Sequence, residues 1–143
     1  MSEPRGEYPQ PVTDADNRPF LEGWAEGRLM LQTCGGCGRV FFYPRPLCPH
    51  CWSDKLAWHA ASGRGKVVSF SLIYRPNHPS FFDEVPIILA EVELAEQVPI
   101  LARIVEVEAD TMRLGLEVEL LAPRDAPRYP LPTFRARSSG RTA

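Results

Sequence analysis

Cys34, Cys37, Cys48 and Cys51 are the residues whose type and spacing point most directly to chemistry. They form two Cys-x2-Cys pairs separated by ten residues, and they are the chain's four cysteines. A two-residue gap lets both thiolates of a pair turn toward one ion. Two such pairs supply four sulfurs at tetrahedral geometry, the closed form of a structural zinc site. Four thiolates leave no open coordination position, so the pattern predicts a structural rather than a catalytic metal. Gly35, Gly36 and Gly38 ease the tight backbone of the first knuckle. Iron in a tetrahedral sulfur site satisfies the same pattern. His50 is a competing ligand beside Cys51. Four ordinary cysteines, or a lone redox pair, leave the second matching pair unexplained.

No catalytic set accompanies the cysteines. The three histidines are His50, His59 and His78. Ser69, Ser71 and Ser80 lie in no nucleophile elbow, and the chain has neither a P-loop nor a dinucleotide fingerprint. Gly63-Arg64-Gly65-Lys66 resembles a phosphate cradle but reads as a linker into a strand. The ligand-binding candidate is a loop after the first strand of the second half. There Arg75 and His78 are placed to meet phosphate, while Phe81 and Phe82 cover an acyl or adenine group. An ordinary loop with its phenylalanines packed inward is the plain alternative. Phe41-Phe42-Tyr43 reads as packing. Trp24, Trp52 and Trp58 read as joints between modules, with Trp52, next to a ligand cysteine, as a partner-facing alternative.

The elements that must position these groups are short. Residues 1–13 read as a flexible arm. Asp14 is a cap for a helix that carries Phe20 and Trp24 on one face and ends at Gly27. Strand-like text precedes the first cysteine pair, lies between the pairs at Val40–Tyr43, and returns at Leu56–Ala60. That is the strand, knuckle, strand, knuckle, strand order of a zinc ribbon. The unit spans 14–61. After Gly63 and Gly65 the chain becomes β-rich. Val68, Phe70, Leu72 and Tyr74 alternate, and further strands fall at Ile87–Leu94, Ile100–Val107 and Val118–Leu121. With little helix this fits a five-stranded Greek-key barrel, the OB-fold, over 62–122, and an open sheet or sandwich reads similarly. Residues 123–143, rich in Pro and Arg, read as an extended tail. The fold class is mainly β: helix, ribbon, barrel.

Composition narrows the functions. The chain has 143 residues with 44% hydrophobic content, enough for a core. Its formal charge of −2 lacks the basic excess of a phosphate-tracking surface. No run of about 18 apolar residues is present, so no membrane helix is expected, and Met1–Gln10 has no apolar signal core. A cytoplasmic, reducing location follows as the expectation, which favours metal over disulfides.

The order of these motifs resembles the DUF35 family. It is carried by Phe20-Leu21-Glu22-Gly23-Trp24, Gly27 to Cys34, Cys37-Gly38, Pro44-Arg45, Cys48-Pro49-His50-Cys51, Leu56-Ala57-Trp58, Ser62 to Val67, Glu91-Val92-Glu93-Leu94 and Leu114 to Glu119. The resemblance implies a rubredoxin-like zinc ribbon fused to an OB-fold, over about residues 16–135. It further implies a non-catalytic scaffold subunit. Its expected partner is a thiolase-superfamily, aldolase or MaoC-like hydratase enzyme of acyl-CoA metabolism (lipid, sterol side-chain or aromatic degradation), and the scaffold helps to bind or channel the thioester. The metal ligands carry over to Cys34, Cys37, Cys48 and Cys51, and no catalytic residue carries over. One departure is visible: where members often have an acidic residue followed by Gly, the turn here reads Ala95-Glu96-Gln97. The rival readings are a nucleic-acid-binding ribbon/OB module and an independent acyl-CoA hydrolase or acyltransferase.

Overall fold

The computed structural model describes residues 8–137. One helix, α1 (Arg18–Ala25), precedes a small three-stranded sheet of β1 (Met30–Cys34), β2 (Val40–Phe41) and β3 (Leu56–Ala60) in the order β2-β1-β3. β4 (Arg64–Ile73), β5 (Ile87–Leu94), β6 (Pro99–Val105), β7 (Glu117–Leu120) and β8 (Thr133–Ala136) then close a barrel in the order β4-β5-β6-β8-β7. Every barrel pairing is antiparallel except β6 with β8, which is parallel. This is the mainly β architecture of helix, ribbon and five-stranded OB-fold.

Helix α1 begins where Pro19 lies in its first turn, a position with no intrahelical N–H to lose. Asp14 does not cap it directly. Its carboxylate instead accepts from the Asp16 and Asn17 amides, 2.9 Å each, and folds the turn that leads in. Phe20 and Trp24 are both buried, as their four-residue spacing requires. Phe20, Leu29 and Leu31 belong to the same buried cluster as Val67, Ile88, Val92 and Phe134. Ribbon and barrel are therefore packed through one continuous core.

Three expectations are corrected. The alternation assigned to β4 slips, because a bulge between Val67 and Ser69 leaves Val68 as the extra residue. Val67 faces inward, Val68 is exposed, and the inward phase resumes at Phe70 and Leu72 opposite Ala90 and Ile88. The second correction concerns the tail. Residues 133–136, expected within an extended arm, are the fifth barrel strand, and Phe134 is fully buried. Burying a phenylalanine contributes roughly 1.5–3 kcal/mol, and the ladders to β6 and β7 add to it. Third, Tyr8, expected in a flexible arm, is buried and stacks between Phe81 and Tyr129 with ring centroids 5.1 and 5.8 Å away. Residues 1–7 and 138–143 lie outside the described part.

At the Ala95-Glu96-Gln97 departure the hairpin is closed by Leu94 N–H to the Val98 carbonyl, 2.9 Å. Gln97 takes the left-handed φ of 66°. Glu96 accepts the Ser62 amide at 2.6 Å, so the tip is tied to the linker that enters the barrel.

A four-cysteine centre and an apolar cleft

The four thiol sulfurs lie within 4.8 Å of one another. Cys34 ends β1, and its sulfur is 3.5 Å from that of Cys51; Cys37 and Cys48 are 3.7 Å apart. Zinc–sulfur bonds of about 2.3 Å at tetrahedral angles place sulfurs about 3.8 Å apart, so the separations fit the ion. His50 is not among the converging groups: its Nδ1 meets Arg39 Nη1 at 2.9 Å.

The two knuckles share one backbone plan. In the first, Gly38 N–H donates to the Cys34 carbonyl at 2.8 Å; in the second, Trp52 N–H donates to the Cys48 carbonyl at 2.9 Å. The Gly36 and Cys37 amides point at the Cys34 sulfur (3.2 and 3.4 Å), and the His50 amide points at Cys48 (3.3 Å). Of the three glycines expected to relax the first knuckle, only Gly38 needs a left-handed φ, at 78°. Trp52 occupies the equivalent position with φ 69°.

These amides set the thiol acidities. The Cys37 N–H, opposed by burial and assisted by the Gly36 N–H, pulls Cys34 down to about 6. For Cys48, burial pushes upward, but the Cys51 and His50 backbone amides and the Cys37 thiol outweigh it and lower it. Cys51 is pulled down by the Ser53 amide, yet its bond with Cys34, its burial and its bonds with Cys37 and Cys48 push it up to about 12. Four sulfurs this close resist shared ionisation unless a cation sits among them. The donor set thus fits a rubredoxin-like zinc or iron ion. Cys34 and Cys48 are buried while Cys37 and Cys51 are exposed, which places the centre at the edge of the ribbon.

The predicted ligand loop divides. Pro79–Glu84 forms a 3-10 turn in which His78 Nδ1 accepts the Ser80 amide at 3.1 Å. Arg75 and Phe82 are exposed, and neither they nor His78 line the apolar cleft between helix, ribbon and barrel. Phe81 does: it lines this cleft of about 480 Å³ with residues of α1, the turn after β2, the outer face of β5 and β6, and the segment entering β8. Sequence reasoning missed this cleft, because its walls come from residues 8 to 133. Their only common sequence signal was an excess of aromatics and prolines. Of the tryptophans, Trp24 is buried and Trp58 packs on the core, but Trp52 is 75% exposed and belongs to neither core cluster of the described residues.

Comparison with known proteins places these features. Residues 21–57 match the family model "ChsH2, rubredoxin-like zinc ribbon domain", and residues 58–122 match "ChsH2, C-terminal OB-fold domain". The chain is 33% identical over 132 residues to a probable enoyl-CoA hydratase alpha subunit of Thermomonospora curvata, covering 92% of this chain and 41% of that one. It is 35% identical to a DUF35 domain-containing scaffold protein of Pyrococcus furiosus, over 68% of this chain and 74% of that one. It is 36% identical to the benzoylsuccinyl-CoA thiolase subunit BbsA of Geobacter metallireducens, over 71% and 61% respectively. The chain thus spans less than half of the hydratase subunit and about three fifths of the thiolase subunit. Among solved structures, Ltp2-ChsH2(DUF35) aldolase superposes with a TM-score of 0.75 at 33% identity, covering 89% of this chain and 98% of that one.

Proposed function

The chain belongs to the ChsH2 (DUF35) family of zinc-ribbon and OB-fold proteins, and from that premise we propose that it is a non-catalytic scaffold subunit of an acyl-CoA-processing enzyme. Its partner is a thiolase-superfamily, aldolase or MaoC-like hydratase protein, and the scaffold helps to hold the thioester. The observation that carries this reading is the likeness, over 89% of this chain, to a chain of the Ltp2-ChsH2(DUF35) aldolase structure. Relatives named as subunits of a hydratase and a thiolase point the same way.

The side chains support a scaffold. His50 is engaged by Arg39, His59 by Thr33 and His78 by Ser80, so each histidine has a local structural role. The four cysteines converge on one point, and a thiolate bound to metal is a poor nucleophile. In this reading Cys34, Cys37, Cys48 and Cys51 hold one zinc ion, which supplies no chemistry beyond cross-linking the ribbon. No helix among the described residues is long and apolar enough to cross a membrane, and with the cysteine usage this supports a cytoplasmic location.

Affinity isolation of the tagged chain from its native lysate, with mass spectrometry, tests the proposal. A thiolase-, aldolase- or hydratase-like protein in stoichiometric amount is the expected result. Ribosomal proteins or nuclease-sensitive material would replace this reading with the nucleic-acid one. A lone chain that turns over acyl-CoA would replace it with an enzyme.

A further inference from the structure

The apolar cleft lies where helix, ribbon and barrel meet. Its floor is the outer face of the barrel, where Leu89 on β5 pairs with Arg103 on β6 and Leu101 is two residues before Arg103. Phe20 and Tyr43 form one wall, and Leu131 stands on the strand-β8 side. At about 480 Å³ it falls in the range of small-molecule sites, roughly 300–1,000 Å³, which favour junctions between modules. Tyr43, Leu101 and Leu131 are all exposed on this one concave surface. Exposed apolar side chains scattered singly need no explanation, but several converging on a cavity mark a binding surface.

Among the described residues, Arg103 is the one charged residue in the lining. Its Nη1 lies 2.8 Å from Glu84 Oε1, and its guanidinium sits over the rings of Phe81 and Tyr129 at 6.0 and 5.6 Å. The Tyr8 hydroxyl donates to the other Glu84 oxygen at 2.7 Å, which fixes the carboxylate. The Arg103–Glu84 contact is a charge contact without hydrogen-bond alignment: Arg103 Nε, Nη1 and Glu84 Oε1 are covered and lack aligned partners. The cation is thus held in place but not saturated, and 18% of its side chain stays open. Such a site accepts an apolar body with one oxygen acceptor at the Arg103 end. It does not suit the phosphorylated end of a coenzyme, which calls for several unpaired cations or bidentate arginines.

We propose that this cleft holds the acyl end of the thioester and leaves the nucleotide end of the coenzyme outside. The proposal rests on the acyl-CoA reading given above and assigns it a place on this chain.

Calorimetric titration of the full chain with decanoyl-CoA, decanoate and free CoA tests it. Decanoyl-CoA is expected to bind at least tenfold more tightly than free CoA. Leu101→Gln and Leu131→Gln, at exposed positions that leave Tm unchanged, are each expected to weaken decanoyl-CoA tenfold or more. Equal binding of CoA and decanoyl-CoA, binding of decanoate alone, or variants that bind like wild type would overturn the assignment. Partner capture, measured in parallel, separates the two claims. A captured enzyme without thioester binding sinks the cleft and keeps the scaffold. Thioester binding without any enzyme partner does the reverse. Loss of the partner in Leu101→Gln, with no thioester binding by wild type, would make the cleft a protein-docking groove and also overturn the assignment.

Discussion

The side-chain amide of Gln32 pairs with the peptide of Arg45 in both directions: Gln32 Nε2 donates to the Arg45 carbonyl at 3.0 Å, and the Arg45 N–H donates to Gln32 Oε1 at 3.0 Å. Among the described residues, Gln32 is one of two buried polar side chains on β-strands, the other being Thr133. The pairing makes it a substitute strand neighbour for the loop between the knuckles. Where the two-residue β2 runs out, Gln32 keeps Pro44–Pro46 against β1.

Gln32→Glu keeps the shape but removes the donor, and it sets a carboxylate oxygen against the Arg45 carbonyl. Leaving a buried acceptor unpaired costs about 1–3 kcal/mol, and more when the new group is charged. Urea denaturation is expected to show that loss at neutral pH. A variant as stable as wild type would mean that the loop is held elsewhere.

The metal is expected to carry the ribbon. The cluster around Cys34, Cys48, Phe41 and Leu56 is small, so the knuckle end of the ribbon leans on the metal, although Leu31 joins the main core. Purified protein should be colourless, with one zinc per chain by elemental analysis. Cys48→Ser, or removal of zinc with a strong chelator, should lower Tm by on the order of 10 °C or more, because several kcal/mol are lost. A red, iron-loaded protein would overturn the choice of ion, and an unchanged Tm on chelation would overturn the structural role.

Two left-handed glycines separate backbone strain from crowding. At Gly38 (φ 78°) a Cβ would meet nothing within 4 Å, so Gly38→Ala should cost only the left-handed penalty, about 1–2 kcal/mol. At Gly27 (φ 83°) a Cβ would lie 2.6 Å from the Cα of Pro123, a backbone atom of the segment leaving β7. Gly27→Ala should therefore be clearly the more destabilising in thermal melts. Equal melting temperatures would show that the 123 segment moves aside freely.

The cysteine centre was legible because its ligands sit in two local pairs, and metal geometry dictates the spacing. Strands β5 and β6 were legible as apolar, β-rich runs on either side of a turn. Strand β8 was not: Thr133–Ala136 is four residues long, follows Pro130 and Pro132, and gains its stability from Phe134 entering a core built by distant strands. The phase slip at Val68 was hidden for a related reason, since a bulge leaves no mark in a run of apolar residues. Of the predicted ligand loop, Arg75, His78 and Phe82 do not line the cleft, because position after a strand does not say which way a side chain turns. Phe81 reached the cleft through its stack on Tyr8, a residue from the other end of the chain.

Trp52 ties the ribbon's backbone plan to the partner-facing alternative that its place beside a ligand cysteine offers. It stands where the first knuckle has Gly38, at φ 69°, and it is 75% exposed. A bulky residue in that conformation costs about 1–2 kcal/mol, while glycine there costs roughly 0.5–1 kcal/mol in chain entropy. Trp52→Gly should therefore leave stability unchanged or slightly raised. If the side chain is the ribbon's contact with the partner enzyme, the same variant should capture at least tenfold less of it. Phe42→Ala separates the effects less well, because Phe42 packs edge-on against Phe20 at 5.5 Å and its loss also loosens the helix. Capture by Trp52→Gly at the wild-type level would remove the second knuckle from the interface. A drop in Tm would instead show that the exposed ring contributes to folding in a way its surroundings do not reveal.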